Sequence, residues 1–210
     1  MCQQESMSTC GVIQLAYEVT KLLSESDILY LKDVYDMGKP YAISRYYNLF
    51  SMYRLDVKKQ FKESNWIKIQ DKLNAHYPQG KNIAQYFLKY VEGSFCVMHV
   101  DSPARVNHTA ITLIDKSIDL QGGEILLHKG RFGLRNGVHF PTDEEAKSSK
   151  LSQSSVSKIK PIMTVPQNIG ETIWYPAKMS HGVSYVTRGY RLVLITWYKD
   201  ENNQIQEERL

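Results

Sequence analysis

Residues 161–198 read PIMTVPQNIGETIWYPAKMSHGVSYVTRGYRLVLITWY, and this stretch decides the fold. It holds short apolar runs at 161–165, 172–175, 182–186 and 192–198, rich in β-branched and aromatic residues. Turn signals separate them: Asn168-Ile169-Gly170 and Thr187-Arg188-Gly189. Each run is too short for an ordinary helix but long enough for a strand. Working outward toward the N-terminus, similar runs stand at 83–90, 94–100, 109–114 and 124–127, the last preceded by Gly122-Gly123. No helical pattern separates these runs, as parallel strands would require. The spacing therefore predicts an antiparallel sandwich or barrel.

The first 82 residues read as mainly helical support for that β unit. Ser24, Ser26 and Asp27 offer caps before Ile28, Leu31, Val34 and Tyr35, which recur at helical spacing until Gly38-Lys39-Pro40. A second helical stretch is expected through Tyr46, Phe50 and Tyr53. A third is expected around 66–73, with Trp66, Ile69 and Leu73 on one face. Residues 142–160 hold Glu144, Glu145, Lys147, Lys150, Lys158 and six serines with little to bury, and read as a polar insertion between strands. Residues 201–210 read as a polar tail. The expectation is one domain over 1–210, with the β unit at 83–200.

Composition narrows the classes. The chain has 210 residues, 42% hydrophobic and 23% charged, which fits a globular domain and excludes wholesale disorder and coiled coil. A net charge of +4 is too mild and too dispersed for a dedicated nucleic-acid binder. No apolar run is long enough to span a bilayer. Residues 1–10 lack the apolar core of a secretory signal. Cys2, Cys10 and Cys96 are too scattered for a disulfide framework. A reducing, cytoplasmic or otherwise intracellular setting follows as an expectation, and no membrane partner is expected.

The chemistry gathers at two places. In Met98-His99-Val100-Asp101, residues two apart on a strand share a face, so His99 and Asp101 point together. His181, opening the run to Val186, adds a second imidazole. Two histidines and one carboxylate occupy one face of an octahedral ferrous ion and leave positions open for substrate and oxygen. Ten residues on, Arg191 begins an apolar strand. A guanidinium aimed into a barrel is costly unless an anion meets it, and the far carboxylate of a metal-chelating dicarboxylate is such an anion.

These features together resemble the iron(II)- and 2-oxoglutarate-dependent oxygenases, in their prolyl 4-hydroxylase-like branch. The matching stretches are Leu88-Lys89-Tyr90-Val91-Glu92-Gly93, His99-Val100-Asp101-Ser102-Pro103 with Arg105, and Gly122-Gly123-Glu124-Ile125. Further on come Gly170-Glu171-Thr172-Ile173-Trp174-Tyr175-Pro176, His181-Gly182-Val183, and Gly189-Tyr190-Arg191 with Trp197. They fall in the family's order from about residue 24 to 199.

The resemblance implies a mainly β protein, a double-stranded β-helix (jelly-roll) core flanked by N-terminal α-helices. It implies Fe(II) on His99, Asp101 and His181, with 2-oxoglutarate held by Arg191 and lined by Tyr90. O2 would be consumed, and ascorbate would support turnover. Leu113 falls near a position where oxygen-sensing relatives have a tyrosine, so another group, Thr109 or Thr112 according to register, would supply that contact. The retained Asp101 speaks for hydroxylation rather than halogenation. The implied activity is hydroxylation of a prolyl residue in a protein or peptide, coupled to conversion of 2-oxoglutarate to succinate. The alternatives are a free amino acid or other small molecule as substrate, and a non-catalytic binding module on the same fold.

Several residues keep two readings. Arg105 is either a substrate contact at the barrel mouth or a solvated surface arginine. Trp197, an even step from Arg191, either walls the substrate pocket or fills the core. His76, His108, His128 and His139 read as structural or exposed, and Cys96 as a small buried apolar residue. Arg45, Arg54, Lys58, Lys59 and Lys62 interleave with aromatics, as on a nucleic-acid platform, but read foremost as the polar face of an amphipathic helix.

Overall fold

The computed structural model describes residues 17–43, 50–57, 63–101, 105–128 and 163–201. The polar insertion at 142–160, His139, Cys2, Cys10, Ser102-Pro103 and residues 202–210 of the tail lie outside the described residues. So do Arg45, Tyr46, Tyr47, Lys58, Lys59, Phe61 and Lys62. Among the described residues, no helix is long and apolar enough to cross a membrane.

In chain order the elements are β1 (Glu18–Thr20), α1 (Glu25–Asp36), β2 (Tyr41–Ile43), β3 (Phe50–Asp56), α2 (Ser64–His76), β4 (Gly80–Val91) and β5 (Phe95–His99). They continue as β6 (His108–Lys116), β7 (Ile125–His128), β8 (Met163–Val165), β9 (Thr172–Pro176), β10 (Ser180–Val183) and β11 (Tyr190–Asp200). All pairings are antiparallel, and the strands run in the order β1-β9-β6-β11-β4-β3-β5-β10-β7-β8, with β2 on the side of β3. The order folds into two sheets at β3. Its C-terminal half, Tyr53 to Asp56, pairs with β4, and Phe50 and Ser51 pair with β5. The result is the expected double-stranded β-helix.

Alternation along β11 builds two cores. Val193 and Ile195 point between the sheets, with Leu88, Ile111, Ile173 and Leu127. Leu192, Leu194 and Tyr198 point the other way and meet the helices. Helix α1 begins with a capping box between Ser24 and Asp27 and buries Ile28, Leu31, Val34 and Tyr35, the residues its periodicity singled out. Helix α2 buries Trp66, Ile69 and Leu73 in the same layer.

The expected helix through Tyr46, Phe50 and Tyr53 is not formed where the chain is described, because Phe50–Asp56 is strand β3. Met52 and Arg54 alternate with Tyr53 and Leu55, a period of two that the aromatic spacing masked. What decides the matter is the sheet edge waiting on each side: β3 pairs with both sheets, and an amphipathic helix there would leave two edges open. The amphipathic-helix reading of Arg54 falls with it. Arg54 lies over the Tyr86 ring, 3.9 Å from its centroid, and pairs with Asp56.

Candidate metal and anion site

His99 closes β5, Asp101 follows it by two residues, and His181 lies inside β10 rather than before it. The two strands pair directly, with His181 opposite His99. Two steps later the register has slipped: Val183 faces Cys96, so two residues of β10 span three of β5. This bulge turns Cys96 to the same side as His99, and its Sγ lies 3.7 Å from His99 Nδ1. Cys96 is buried and belongs to the inner core, as expected, but it touches the site, which regular alternation would have forbidden. Burial and then the charge of Asp101 push its thiol pKa up, so it stays protonated.

Three donor atoms, one from each of His99, Asp101 and His181, lie within 4.8 Å of one another. The imidazole Nε2 atoms stand 3.8 and 3.7 Å from the Asp101 oxygens, facing them across a gap without hydrogen bonding. The Asp101 N–H donates to Ala177 O at 3.1 Å, and its Oδ2 accepts from the Thr109 hydroxyl at 2.6 Å. The Nδ1 of His181 lies 2.9 Å from Met179 O. That contact places the proton on Nδ1 and the Nε2 lone pair toward Asp101. Burial, and next the neighbouring His99, lower the His181 pKa to about 4, which keeps the ring neutral and able to ligate.

Arg191 sits deeper between the sheets, directly across the β4–β11 ladder from Tyr90. Only 4% of it is exposed. Its Nη1 donates to Gly123 O and its Nη2 to Gln167 Oε1 at 2.9 Å. Its Nε has no partner, and no carboxylate pairs with it among the described residues. Burial lowers its pKa to about 10, so it is still charged at neutral pH. Gly123, at φ 74°, permits this approach, since a Cβ there would lie 3.2 Å from Arg191 Cδ.

Sequence reasoning missed Tyr175. It lies opposite Thr109 on β9, its ring centroid 4.7 Å from that of His181, and is 1% exposed. Its hydroxyl has no hydrogen-bond partner among the described residues. Burial, then Asp101, hold its pKa well above the ordinary phenol value, so it is a donor without an acceptor. The candidates named for that role are committed elsewhere. Thr109 gives its hydroxyl to Asp101, and Thr112 bonds Thr172 at 2.8 Å, an odd step from the inner residues Ile111 and Leu113.

Trp197 is half-buried and makes a T-shaped contact with Tyr86, centroids 5.4 Å apart at 88°. It faces inward with Val193 and Ile195, so the even-step argument holds and both of its readings stay compatible. Arg105 is exposed in a turn. His76 packs on Trp174 and His108 on Tyr77, each with centroids 4.5 Å apart, outside the donor set. His128 is buried on β7, likewise outside it.

The double-stranded β-helix encloses two imidazoles, a carboxylate and an arginine with no ion-pair partner among the described residues, and solved structures share that fold. A 2OG-Fe(II) oxygenase family oxidoreductase from Burkholderia pseudomallei superposes with a TM-score of 0.61 at 12% identity, over 89% of this chain and 86% of its own. HygX from Streptomyces hygroscopicus, solved with nickel, 2-oxoglutarate and hygromycin B, gives 0.64 at 14% identity, over 89% and 83%. A Trichoplax adhaerens prolyl hydroxylase in complex with a hypoxia inducible factor peptide fragment gives 0.62 at 10% identity, over 91% and 86%. No protein-family profile matches the chain, and no curated protein matches it in sequence. The chain therefore has the fold of the 2OG-Fe(II) oxygenases.

Proposed function

We propose that the protein is an Fe(II)- and 2-oxoglutarate-dependent oxygenase that hydroxylates a prolyl residue of a protein or peptide. The observation that carries the reading is Arg191, a buried guanidinium with neutral partners, in the same barrel as His99, Asp101 and His181. The residues present fit both groups. Two neutral-capable imidazoles and one carboxylate are the donor set that ferrous iron takes with positions left open. The unpartnered Arg191 Nε and Tyr175 hydroxyl are donors suited to the oxygens of a dicarboxylate. Bound there, iron and 2-oxoglutarate would supply the oxidation: one O2 and one 2-oxoglutarate yield succinate, carbon dioxide and a hydroxyl on the substrate carbon.

The chain's own residues do the rest. The Thr109 hydroxyl fixes the Asp101 carboxylate, the Ala177 carbonyl holds the Asp101 main-chain N–H, and Met179 fixes the His181 ring. Arg191, opposite Tyr90, would orient the far carboxylate and so set which end of the cosubstrate meets the metal. Trp197 and Tyr86 present an aromatic wall suited to a pyrrolidine ring, with Arg54 over the Tyr86 ring. A small-molecule substrate is the second reading. It is favoured by the equally good fold match to HygX, whose structure holds hygromycin B.

The test uses purified protein with Fe(II), ascorbate and a proline-containing peptide library, beside a small-molecule panel. Wild type should release succinate and add one oxygen atom to a peptide, while His99→Ala and Arg191→Ala should do neither. Equal succinate from all three proteins would sink the reading. Oxygen gain only in the small-molecule panel would select the second substrate class.

A further inference from the structure

The residue that holds Arg191 is itself held in an unusual way. Gln167 lies between β8 and β9, and its side-chain NH2 donates to two backbone carbonyls, Ile111 O and Glu171 O, each at 2.8 Å. Both amide hydrogens are thereby used, and only Oε1 is left to meet Arg191 Nη2, at 2.9 Å. A flipped amide would set NH2 against guanidinium and oxygen against two carbonyls, so the orientation is fixed by its surroundings. The backbone is tied as well, since Lys116 Nζ donates to Gln167 O at 3.1 Å.

We propose that Gln167 is a positioning residue that aims the Arg191 guanidinium while leaving its charge for an anionic ligand. This rests on the reading of Arg191 as the binder of the far carboxylate of 2-oxoglutarate. A buried arginine is ordinarily met by Asp or Glu. Here both contacts are neutral oxygens, Gly123 O and Gln167 Oε1. A carboxylate at position 167 would hold the same N–H, and it would also cancel the charge that the ligand needs. It would further face Ile111 O and Glu171 O with no hydrogen to offer them. The amide therefore does two things a carboxylate cannot: it anchors to the backbone of β6, and it orients without neutralising.

The experiment measures ligand affinity for Mn(II)-loaded protein by calorimetry, with 2-oxoglutarate and with 2-oxobutyrate, which keeps the chelating end and lacks the far carboxylate. Mn(II) affinity alone and melting temperature are recorded beside it. Gln167→Met, neutral and of similar size, should bind 2-oxoglutarate about three- to tenfold more weakly than wild type, the loss of one hydrogen bond. Gln167→Glu should lose about a hundredfold or more, the scale of a competing charge at contact. Neither should change affinity for 2-oxobutyrate or Mn(II).

A merely structural residue would lower the melting temperature and both ligands' affinities together, and that result overturns the proposal. So does equal 2-oxoglutarate affinity in Gln167→Glu and Gln167→Met. Should Gln167→Glu not fold, Gln167→Met decides: unchanged 2-oxoglutarate affinity refutes, and a selective loss supports. If wild type with Mn(II) binds no 2-oxoglutarate, it is the functional reading that fails first, and this one falls with it.

Discussion

Gly182→Ala is the substitution that most directly questions how the donor set is assembled. Gly182 lies between His181 and Val183, where β10 passes the bulge of β5. Its φ is not in the left-handed region, so alanine meets no backbone objection there. The objection is contact: a Cβ would stand 2.8 Å from Cys96 O and 3.1 Å from both Met98 N and Met98 Sδ. The methionine end can move, but the two backbone atoms belong to the bulge itself. Ordinary contact begins at 3.4 Å, so β5 and β10 must part by about 0.6 Å. Overpacking of that kind costs about 1–3 kcal/mol. For a chain of this length, about 2 kcal/mol lowers the melting temperature by about 4–8 °C. The same shift separates His99 on β5 from His181 on β10. Metal–ligand bonds tolerate about 0.2 Å, so Mn(II) affinity should fall at least about tenfold. Thermal unfolding of the metal-free protein and a Mn(II) titration read the two effects. An alanine variant equal to wild type in both would show that the bulge does not set the spacing of the donors.

Three further outcomes are expected. Tyr175→Phe removes a buried hydroxyl that lacks a partner, so the metal-free protein should be as stable or slightly more so, while 2-oxoglutarate affinity falls about three- to tenfold; a clear loss of stability would show that the hydroxyl is already satisfied. Thr109→Val keeps the shape but removes the 2.6 Å donor to Asp101, and Mn(II) affinity should drop about 10- to 100-fold; an unchanged titration would mean that the Thr109 hydroxyl does not orient the carboxylate. Leu31→Ala empties a fully buried place between α1 and the large sheet, and urea unfolding should show a loss of about 2–5 kcal/mol while Mn(II) affinity of the folded protein is kept; loss of metal binding in the folded variant would contradict the separation of the two cores.

Much of this was legible in the sequence because the signals were periodic. The α1 and α2 faces followed from residues three and four apart, and the inward set on β11 from alternation. His99, Asp101 and His181 were legible as residue types, and the structure brings them together. What was not legible depended on pairing. The strand β3 looks helical until the two open edges beside it are known. Cys96 looks remote from His99 until the bulge is known. Tyr175 was within reach of the same alternation argument, lying two residues after the inner Ile173, but nothing in the sequence shows that its hydroxyl goes unpaired. Gln167 carried no signal at all: it sits in the irregular connection between β8 and β9, and its role depends on three contacts, to Ile111, Glu171 and Arg191.

The two sheets divide the site between them, and that division explains the placement of its parts. His99 and His181 belong to the small sheet, on β5 and β10, whereas Arg191, Tyr90 and Tyr175 belong to the large one, on β11, β4 and β9. A ligand bridging the metal donors and Arg191 must therefore span the inner core, and the spacing of the sheets becomes the length the site can read. That spacing is set by the residues of the inner core, such as Leu127 and Ile173, and by β3, which pairs with both sheets. Asp101 is the donor least tied to either sheet by strand pairing. It is also the one with the most explicit restraints, the Thr109 hydroxyl from the large sheet and the Ala177 carbonyl from the segment before β10. The first holds the carboxylate and the second the backbone N–H, so Asp101 is tied to the large sheet by its side chain and to the segment before β10 by its main chain. The helices stand outside this arrangement, packed on the far face of the large sheet. They stabilise, from its outer face, the platform that carries Arg191.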